Sequence, residues 1–129
     1  MTADAPVEPG HAGALDVDVF FAGVAVTDFD AARTWYEHFF GRAPDVVAHE
    51  TEVMWRVTQR GWLYILRDVA DAGHGIVSIS VPDIDAASSA LGARGIALEP
   101  IEAVGDAGRK AVASDPDGNQ VAIIEVTNT

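Results

Sequence analysis

Two spacings of apolar residues alternate along the first half of the chain. Residues 17–26 are apolar with small residues interspersed, which predicts a strand buried on both faces. Apolar and aromatic residues then recur at helical spacing until Gly41, which predicts an amphipathic helix over 29–40. Three strand candidates follow, at 44–49, 52–58 and 62–67. The first half is therefore predicted to form one strand, one helix and three strands.

The second half repeats this order. A strand is predicted at 75–81, a helix at 84–94, and further strands at 97–103, 109–114 and 120–126. The strand-to-helix junction around Asp28 is echoed around Asp83, 55 residues later. Such a repeat predicts two similar modules, 18–67 and 75–126, within one domain over 17–129. Residues 1–16, rich in small residues and proline, are predicted to form a loose arm.

Composition excludes several classes of protein. Cysteine is absent, which excludes disulfides, thiolate metal ligands and a cysteine nucleophile. The 20 acidic and 8 basic residues give a net charge of −12, which opposes nucleic acid and anionic membranes and favours a neutral or cationic ligand. No signal peptide or membrane-spanning run is visible, so we expect a cytoplasmic protein.

The repeated junctions carry a resemblance to a known family. Each has the pattern Val-x-Asp, the first helix contains Trp35-Tyr36 and ends at Gly41, and Asp115-Pro116-Asp117-Gly118-Asn119 precedes the last strand. This arrangement resembles the vicinal oxygen chelate superfamily, which contains glyoxalase I, extradiol dioxygenases, fosfomycin-resistance enzymes and bleomycin-resistance proteins. The resemblance implies an α+β fold in which paired βαβββ modules form a curved, cup-like mixed sheet with helices outside, often as a homodimer.

The same resemblance implies where a divalent metal would be held. Enzymatic members use His, Gln or Glu side chains from the first and last strands of each module. The corresponding positions here are Phe21, Tyr64, Ile76 and Ala122. Since Phe, Ile and Ala offer no ligand atom and phenolate ligation is uncommon, we predict no metal and no other cofactor.

Two catalytic alternatives stay open. His74 lies two residues before Ile76, on the same strand face, and could join a displaced metal site; a solvent-exposed His74 is the other interpretation. A metal-free acid-base reaction could use Tyr64, Arg56 or a glutamate, although no base with an orienting partner is visible. No nucleophile elbow, phosphate loop or zinc-protease motif occurs.

Strand alternation predicts which side chains line the cup and which pack under the helices. The helix-side set is aliphatic and consists of Val24, Val26, Leu63, Ile65, Val77, Ile79, Val121 and Ile123. The parity of the third strand leaves an alternative, in which Trp55 rather than Met54 and Arg56 points inward. The candidate ligand-binding residues are Phe21, Met54, Arg56, Trp62, Tyr64, Ile76, Ser78, Gln120, Ala122 and Ile124. This mixture of aromatic and polar groups is typical of a pocket for an organic ligand, although aromatic side chains could also simply fill the cup.

The sequence favours a metal-independent binding protein over an enzyme, without deciding whether any catalysis occurs. Its partners would be a small organic ligand, hydrophobic or cationic, such as a natural product or drug, and a second copy of the chain. One alternative is a metal-dependent lyase, isomerase or dioxygenase with displaced ligands. Another is a regulatory or structural module whose cup is filled.

Overall fold

A computed structural model describes residues 13–127, so most of the expected arm over 1–16 lies outside the described residues. Ten elements follow one another within residues 13–127. They are β1 (Phe20–Val26), α1 (Phe29–Phe40), β2 (Val46–His49), β3 (Glu52–Thr58), β4 (Gly61–Arg67), β5 (Ile76–Ser80), α2 (Ile84–Ala93), β6 (Glu102–Val104), β7 (Gly108–Ser114) and β8 (Gln120–Val126).

The strands form two four-stranded mixed sheets with the same topology. Their orders are β1-β4-β3-β2 and β5-β8-β7-β6. In each sheet the first strand runs parallel to the fourth, and the remaining pairs are antiparallel. Helix α1 packs on β4, and α2 packs on β7 and β8. The predicted α+β fold built from two βαβββ units is confirmed.

The repeated aspartates begin the two helices in the same way. The Asp28 carboxylate accepts a hydrogen bond from the Ala31 N–H at 3.1 Å, and the Asp83 carboxylate accepts one from the Ala86 N–H at 3.1 Å. Each side chain therefore satisfies a backbone donor that the first helical turn leaves unpaired. Neither helix, within residues 13–127, is long and apolar enough to cross a membrane.

One apolar core joins the helices to both sheets. Strand residues on the helix side are buried or partly buried in it. They include Val24, Val26, Val53, Trp55, Leu63, Ile65, Val77, Ile79, Val121 and Ile123. Trp55 is fully buried, and its indole N–H donates to the Arg42 carbonyl at 3.1 Å. The helix-facing register predicted from alternation is the one observed, and it directs the other face of each sheet away from the core.

Four predicted strands are shorter than expected; those over 44–49 and 75–81 lose two residues each, and two others differ more. The first strand begins at Phe20 rather than at residue 17, because Phe20 is paired with Gly61, the first residue of β4. The strand predicted over 97–103 is wrong for most of its length: Leu98 makes an isolated bridge with Ala113, and β6 covers only 102–104. Pro100 interrupts this segment and has no N–H to donate to a ladder.

Candidate functional site

The candidate site consists of the sheet faces directed away from the helices, here called the open faces. On the first sheet Phe21, Trp62 and Arg56 form one cross-strand row, and Gly23, Tyr64 and Met54 form the next. On the second sheet Ile76 is paired with Gln120, Ser78 with Ala122, and Ser80 with Ile124. The ten predicted ligand-binding residues therefore form two groups of five, one on each sheet.

Aromatic rings cover the open face of the first sheet. The rings of Phe21 and Trp62 are stacked, with centroids 6.3 Å apart and planes inclined by 21°. The Tyr64 ring lies across Gly23, where a methyl group would be 2.5 Å from the phenolic oxygen and 2.8 Å from Cε2. Phe21 is 51% exposed. The three rings form an aromatic platform, defined by Phe21, Trp62 and Tyr64, in which Phe21 is exposed and the other two residues are partly exposed.

The open face of the second sheet has a different chemistry. It carries hydroxyl and amide groups beside aliphatic side chains, and Ile76 is 80% exposed. Pairing with β8 also brings Ser114, Val112 and Lys110 to this face, in the rows of Gln120, Ala122 and Ile124. These three residues were missed as candidates. Extending the alternation rule to residues 109–114 would have found them.

Arg56 lies at the turn end of the first open face and is held in place. Its Nε and Nη2 groups both donate to the Gln59 carbonyl, with the Nε distance at 3.0 Å. Its backbone N–H donates to the Asp45 carboxylate at 2.7 Å, and its carbonyl accepts from Arg42 Nη2 at 2.7 Å. The hydrogen bond from Arg42 lowers the pKa of Asp45, so this carboxylate stays charged.

A buried hydrogen-bond cluster joins the two modules beside the open faces. The Tyr36 hydroxyl donates to Asp115 Oδ2 at 2.9 Å. Asn119 Nδ2 donates to the Ala25 carbonyl and to Asp115 Oδ2, both at 2.9 Å, and its Oδ1 accepts from the Gly75 N–H at 2.7 Å. Asp115 and Asn119 are only 4% and 1% exposed. Burial, and then the Asp115 charge, raise the pKa of Tyr36.

The Asp115 carboxylate also accepts from two backbone N–H groups, those of Asp117 and Asn119, each at 2.9 Å. These bonds satisfy a buried charge that would otherwise be costly. Asp117 in turn accepts from the Thr27 hydroxyl at 2.6 Å, at the end of β1. The cluster therefore fixes the end of β1 against the start of β5, where the first strands of the two open faces approach each other.

The positions that correspond to metal ligands do not fit a metal. Tyr64 is paired with Gly23 and Ala122 with Ser78, and 55 residues separate Gly23 from Ser78. Tyr64 and Ala122 are thus at equivalent positions of the two sheets. Together with Phe21 and Ile76 they provide a single phenol oxygen and no imidazole or carboxylate, whereas a divalent ion in a protein needs several such ligands.

Other titratable residues do not assemble into a centre. His74 is exposed in the loop before β5, and residues 13–127 contain no group of three His, Asp or Glu side chains arranged to hold a metal. A shallow depression of about 570 Å³ lies at the start of α1, away from the open faces. Its lining consists of Thr27, Asp28, Phe29, Asp30, Glu50, Thr51 and Arg67.

Solved structures of known proteins share this fold. A glyoxalase/bleomycin resistance protein from Catenulispora acidiphila DSM 44928 is 39% identical, with 84% of this chain and 97% of that chain covered and a TM-score of 0.79. The antibiotic-binding protein TnmS3 from Streptomyces sp. CB03234 is 23% identical (84% and 95% covered, TM-score 0.68). A lactoylglutathione lyase from Agrobacterium tumefaciens is 19% identical (83% and 92% covered, TM-score 0.68).

No curated protein sequence matches the chain. The family model of the glyoxalase/bleomycin resistance protein/dioxygenase superfamily, in contrast, matches residues 17–123. That range contains both helices, seven complete strands and most of β8. The chain therefore belongs to the glyoxalase/bleomycin resistance protein/dioxygenase superfamily.

Proposed function

We propose that this protein binds a small hydrophobic organic molecule without a metal, and that it sequesters or carries this ligand rather than transforming it. The observation that carries the proposal is the aromatic platform at and beside the positions where enzymatic relatives hold metal ligands. The stacked pair of Phe21 and Trp62 and the ring of Tyr64 over Gly23 present flat apolar surface to solvent. Such surfaces bind planar organic molecules by stacking and by removal of apolar area from water.

Two further facts support binding over catalysis. The two rows of the platform contain no carboxylate or imidazole, the side chains that most often serve as general bases. A protein of the same fold, TnmS3, is described as antibiotic-binding. By analogy with that neighbour, we include in the proposal a role in antibiotic resistance or in carrying a ligand.

The experiment is a titration with the neutral probe N-phenyl-1-naphthylamine, whose fluorescence rises in apolar surroundings. Trp62→Ala should weaken binding by about 1–3 kcal/mol, the range for loss of one central aromatic side chain. Tyr64→Phe should leave the affinity unchanged if the ring only stacks. The control is Val69→Ala, at a residue 60% exposed in the loop after β4. A folded Trp62→Ala protein that binds the probe with unchanged affinity would overturn the proposal.

We also propose the homodimer that the resemblance implies. Phe20, at 66% exposure, and Val47, at 62%, leave apolar surface accessible in the single chain outside the open faces. Burial of such patches between copies would remove apolar area from water. Light scattering during size-exclusion chromatography should give twice the 13.6 kDa chain mass. A monomer at micromolar concentration would contradict this part of the proposal.

A further inference from the structure

Arg56 lies directly beside the aromatic platform. It is paired across the strands with Trp62, which is itself paired with Phe21. Side chains in such a row emerge about 5 Å apart on the same face of the sheet. A planar molecule that stacks on Trp62 therefore lies within reach of the Arg56 side chain.

The Arg56 guanidinium has no carboxylate partner among residues 13–127, in a chain with 20 acidic residues. Four other arginines of the described region do have one: Arg33 pairs with Glu37, Arg42 with Asp45, Arg60 with Asp18, and Arg109 with Asp85 and Glu125.

Arg94 instead donates to the backbone carbonyls of His38 and Phe39, away from the open faces. Arg67, which also lacks a carboxylate partner within residues 13–127, has the helix-side parity of β4, so Arg56 is the arginine of this kind on the first open face.

The charge of Asp45 acts on Arg56 from a distance, but no acidic group within residues 13–127 contacts the Arg56 guanidinium. The Asp45 carboxylate contacts the Arg56 backbone N–H and the Arg42 guanidinium. Glu52 shares the open face but is four residues along the strand, roughly 13 Å away.

The guanidinium is also oriented before any ligand arrives. Nε and Nη2 donate to the Gln59 carbonyl, whereas Nη1 makes no hydrogen bond within the described residues. Two N–H groups of Nη1 thus remain for an external acceptor. A fixed guanidinium loses little conformational freedom on binding, and its geometry suits a planar oxyanion such as a carboxylate.

We propose that the ligand of the first open face is an aromatic or conjugated acid, whose ring stacks on Trp62 and whose carboxylate or equivalent oxyanion accepts hydrogen bonds from Arg56. This inference rests on the proposed binding function and specifies its ligand. It reverses the preference for a cationic ligand that the net charge of −12 suggests. The charge of Arg56 determines the preferred sign of the ligand charge at this site, because exposed charges farther than about 10 Å are largely screened by salt.

Isothermal titration calorimetry with three probes of one shape tests the inference: 2-naphthoate, the neutral 2-naphthamide, and the cationic 2-naphthylmethylammonium. The full chain should bind 2-naphthoate about tenfold more tightly than the amide, as expected for a charge-assisted hydrogen bond, and the cation most weakly. Arg56→Gln should abolish the preference. Arg56→Lys, which keeps the charge but not the planar fork, should retain only part of it.

Arg67→Gln is the matched control. This substitution removes the same charge from the same sheet. Residue 67, however, alternates with the open-face positions of β4 and is on the helix side, as Leu63 and Ile65 are. The preference for 2-naphthoate should survive in this variant.

The outcomes separate this inference from the proposed function. The inference of an acidic ligand is overturned if the three probes bind equally. It is also overturned if the preference for 2-naphthoate persists in folded Arg56→Gln and Arg56→Lys proteins. Either result leaves the proposed binding function intact. If no probe binds, and N-phenyl-1-naphthylamine does not bind either, both are overturned. Circular dichroism establishes that each variant is folded.

Discussion

The ring of Tyr64 lies across the backbone of Gly23, in the space that any side chain at residue 23 would occupy. Gly23 is outside the set of glycines with positive φ, so its backbone conformation does not itself require glycine. The requirement comes from the neighbouring ring. Gly23 therefore leaves the space that the Tyr64 ring occupies in the aromatic platform. The shape of the candidate site thus depends on a residue that has no side chain.

Gly23→Ala is expected to destabilise the protein by about 1–3 kcal/mol, because the new methyl group forces the ring out of its place. The same change in a Tyr64→Ala background should be neutral or slightly stabilising, since the ring that would clash with the new methyl group is absent. Urea unfolding of the four proteins in this cycle measures the coupling. Additive effects of the two substitutions would contradict the contact.

Gly92→Ala serves as the control for that cycle. Gly92 is in α2, and a methyl group there would meet nothing within 4 Å. Replacing this helical glycine should stabilise the protein by roughly 0.5–1 kcal/mol. Opposite signs for the two glycines would show that local crowding, and not glycine replacement in general, determines the result at residue 23.

Tyr36→Phe should lower the free energy of unfolding by about 1.5–3 kcal/mol, because it removes a buried hydrogen bond to the charged Asp115. The ring packing is retained, so the fold should persist. Chemical denaturation at neutral pH gives the value. A loss below about 0.5 kcal/mol would mean that the remaining donors to Asp115 suffice.

The raised pKa of Tyr36 also predicts a dependence on pH. In the unfolded chain this phenol ionises near pH 10, whereas in the folded protein burial keeps it protonated to higher pH. The stabilisation is thus complete below about pH 10, and above it falls by up to about 1.4 kcal/mol per pH unit. Unfolding measured from about pH 8 to 11 should show a shallower alkaline decline for Tyr36→Phe than for the wild type. Parallel curves would refute the assignment.

Asn119→Ala should destabilise the protein by roughly 3 kcal/mol, because the Gly75 N–H, the Ala25 carbonyl and the Asp115 carboxylate each lose a hydrogen bond to this buried side chain. The neighbouring Gln120 is exposed, so Gln120→Ala should change stability by less than about 0.5 kcal/mol. Thermal and urea unfolding compare the two variants. Similar effects of both would indicate that Asn119 does not hold the modules together.

Protein purified without a chelator is expected to contain well under one equivalent of zinc, nickel, manganese or iron. EDTA should leave the melting temperature unchanged, since removal of a ligand bound only to the folded state would lower it. Elemental analysis and thermal scans provide the data. Stoichiometric metal coordinated by His74 would instead favour a metal-dependent lyase, isomerase or dioxygenase.

Periodicity predicted the repeated fold because burial enforces alternation on each strand. Val24 and Ile65 are buried where the pattern placed them. The burial of Trp55 shows that this residue points toward the helices, so Met54 and Arg56 are on the open face of the third strand. Strand ends were predicted less well because they depend on partners. Phe20 begins β1 since its partner Gly61 begins β4, and neither residue alone reveals that pairing.

Two features of the site lay beyond sequence reasoning. The Tyr36 to Asp115 hydrogen bond joins residues 79 positions apart, whereas each side chain taken alone suggested core packing or a turn. The platform depends on the rotamer of Tyr64, and strand alternation specifies a face but no side-chain torsion. The fold was therefore predictable from local patterns, whereas the detailed site required tertiary contacts.

The hydrogen bond from Asn119 to the Ala25 carbonyl spans 94 residues of sequence. A ribosome that adds 5–20 residues per second makes the second of these residues roughly 5–20 s after the first. During that interval the end of β1 lacks its intramolecular donor and is a target for chaperones or for other nascent chains. Substitutions at Asn119 should therefore lower the yield of folded protein in the cell by more than their effect on the purified protein suggests.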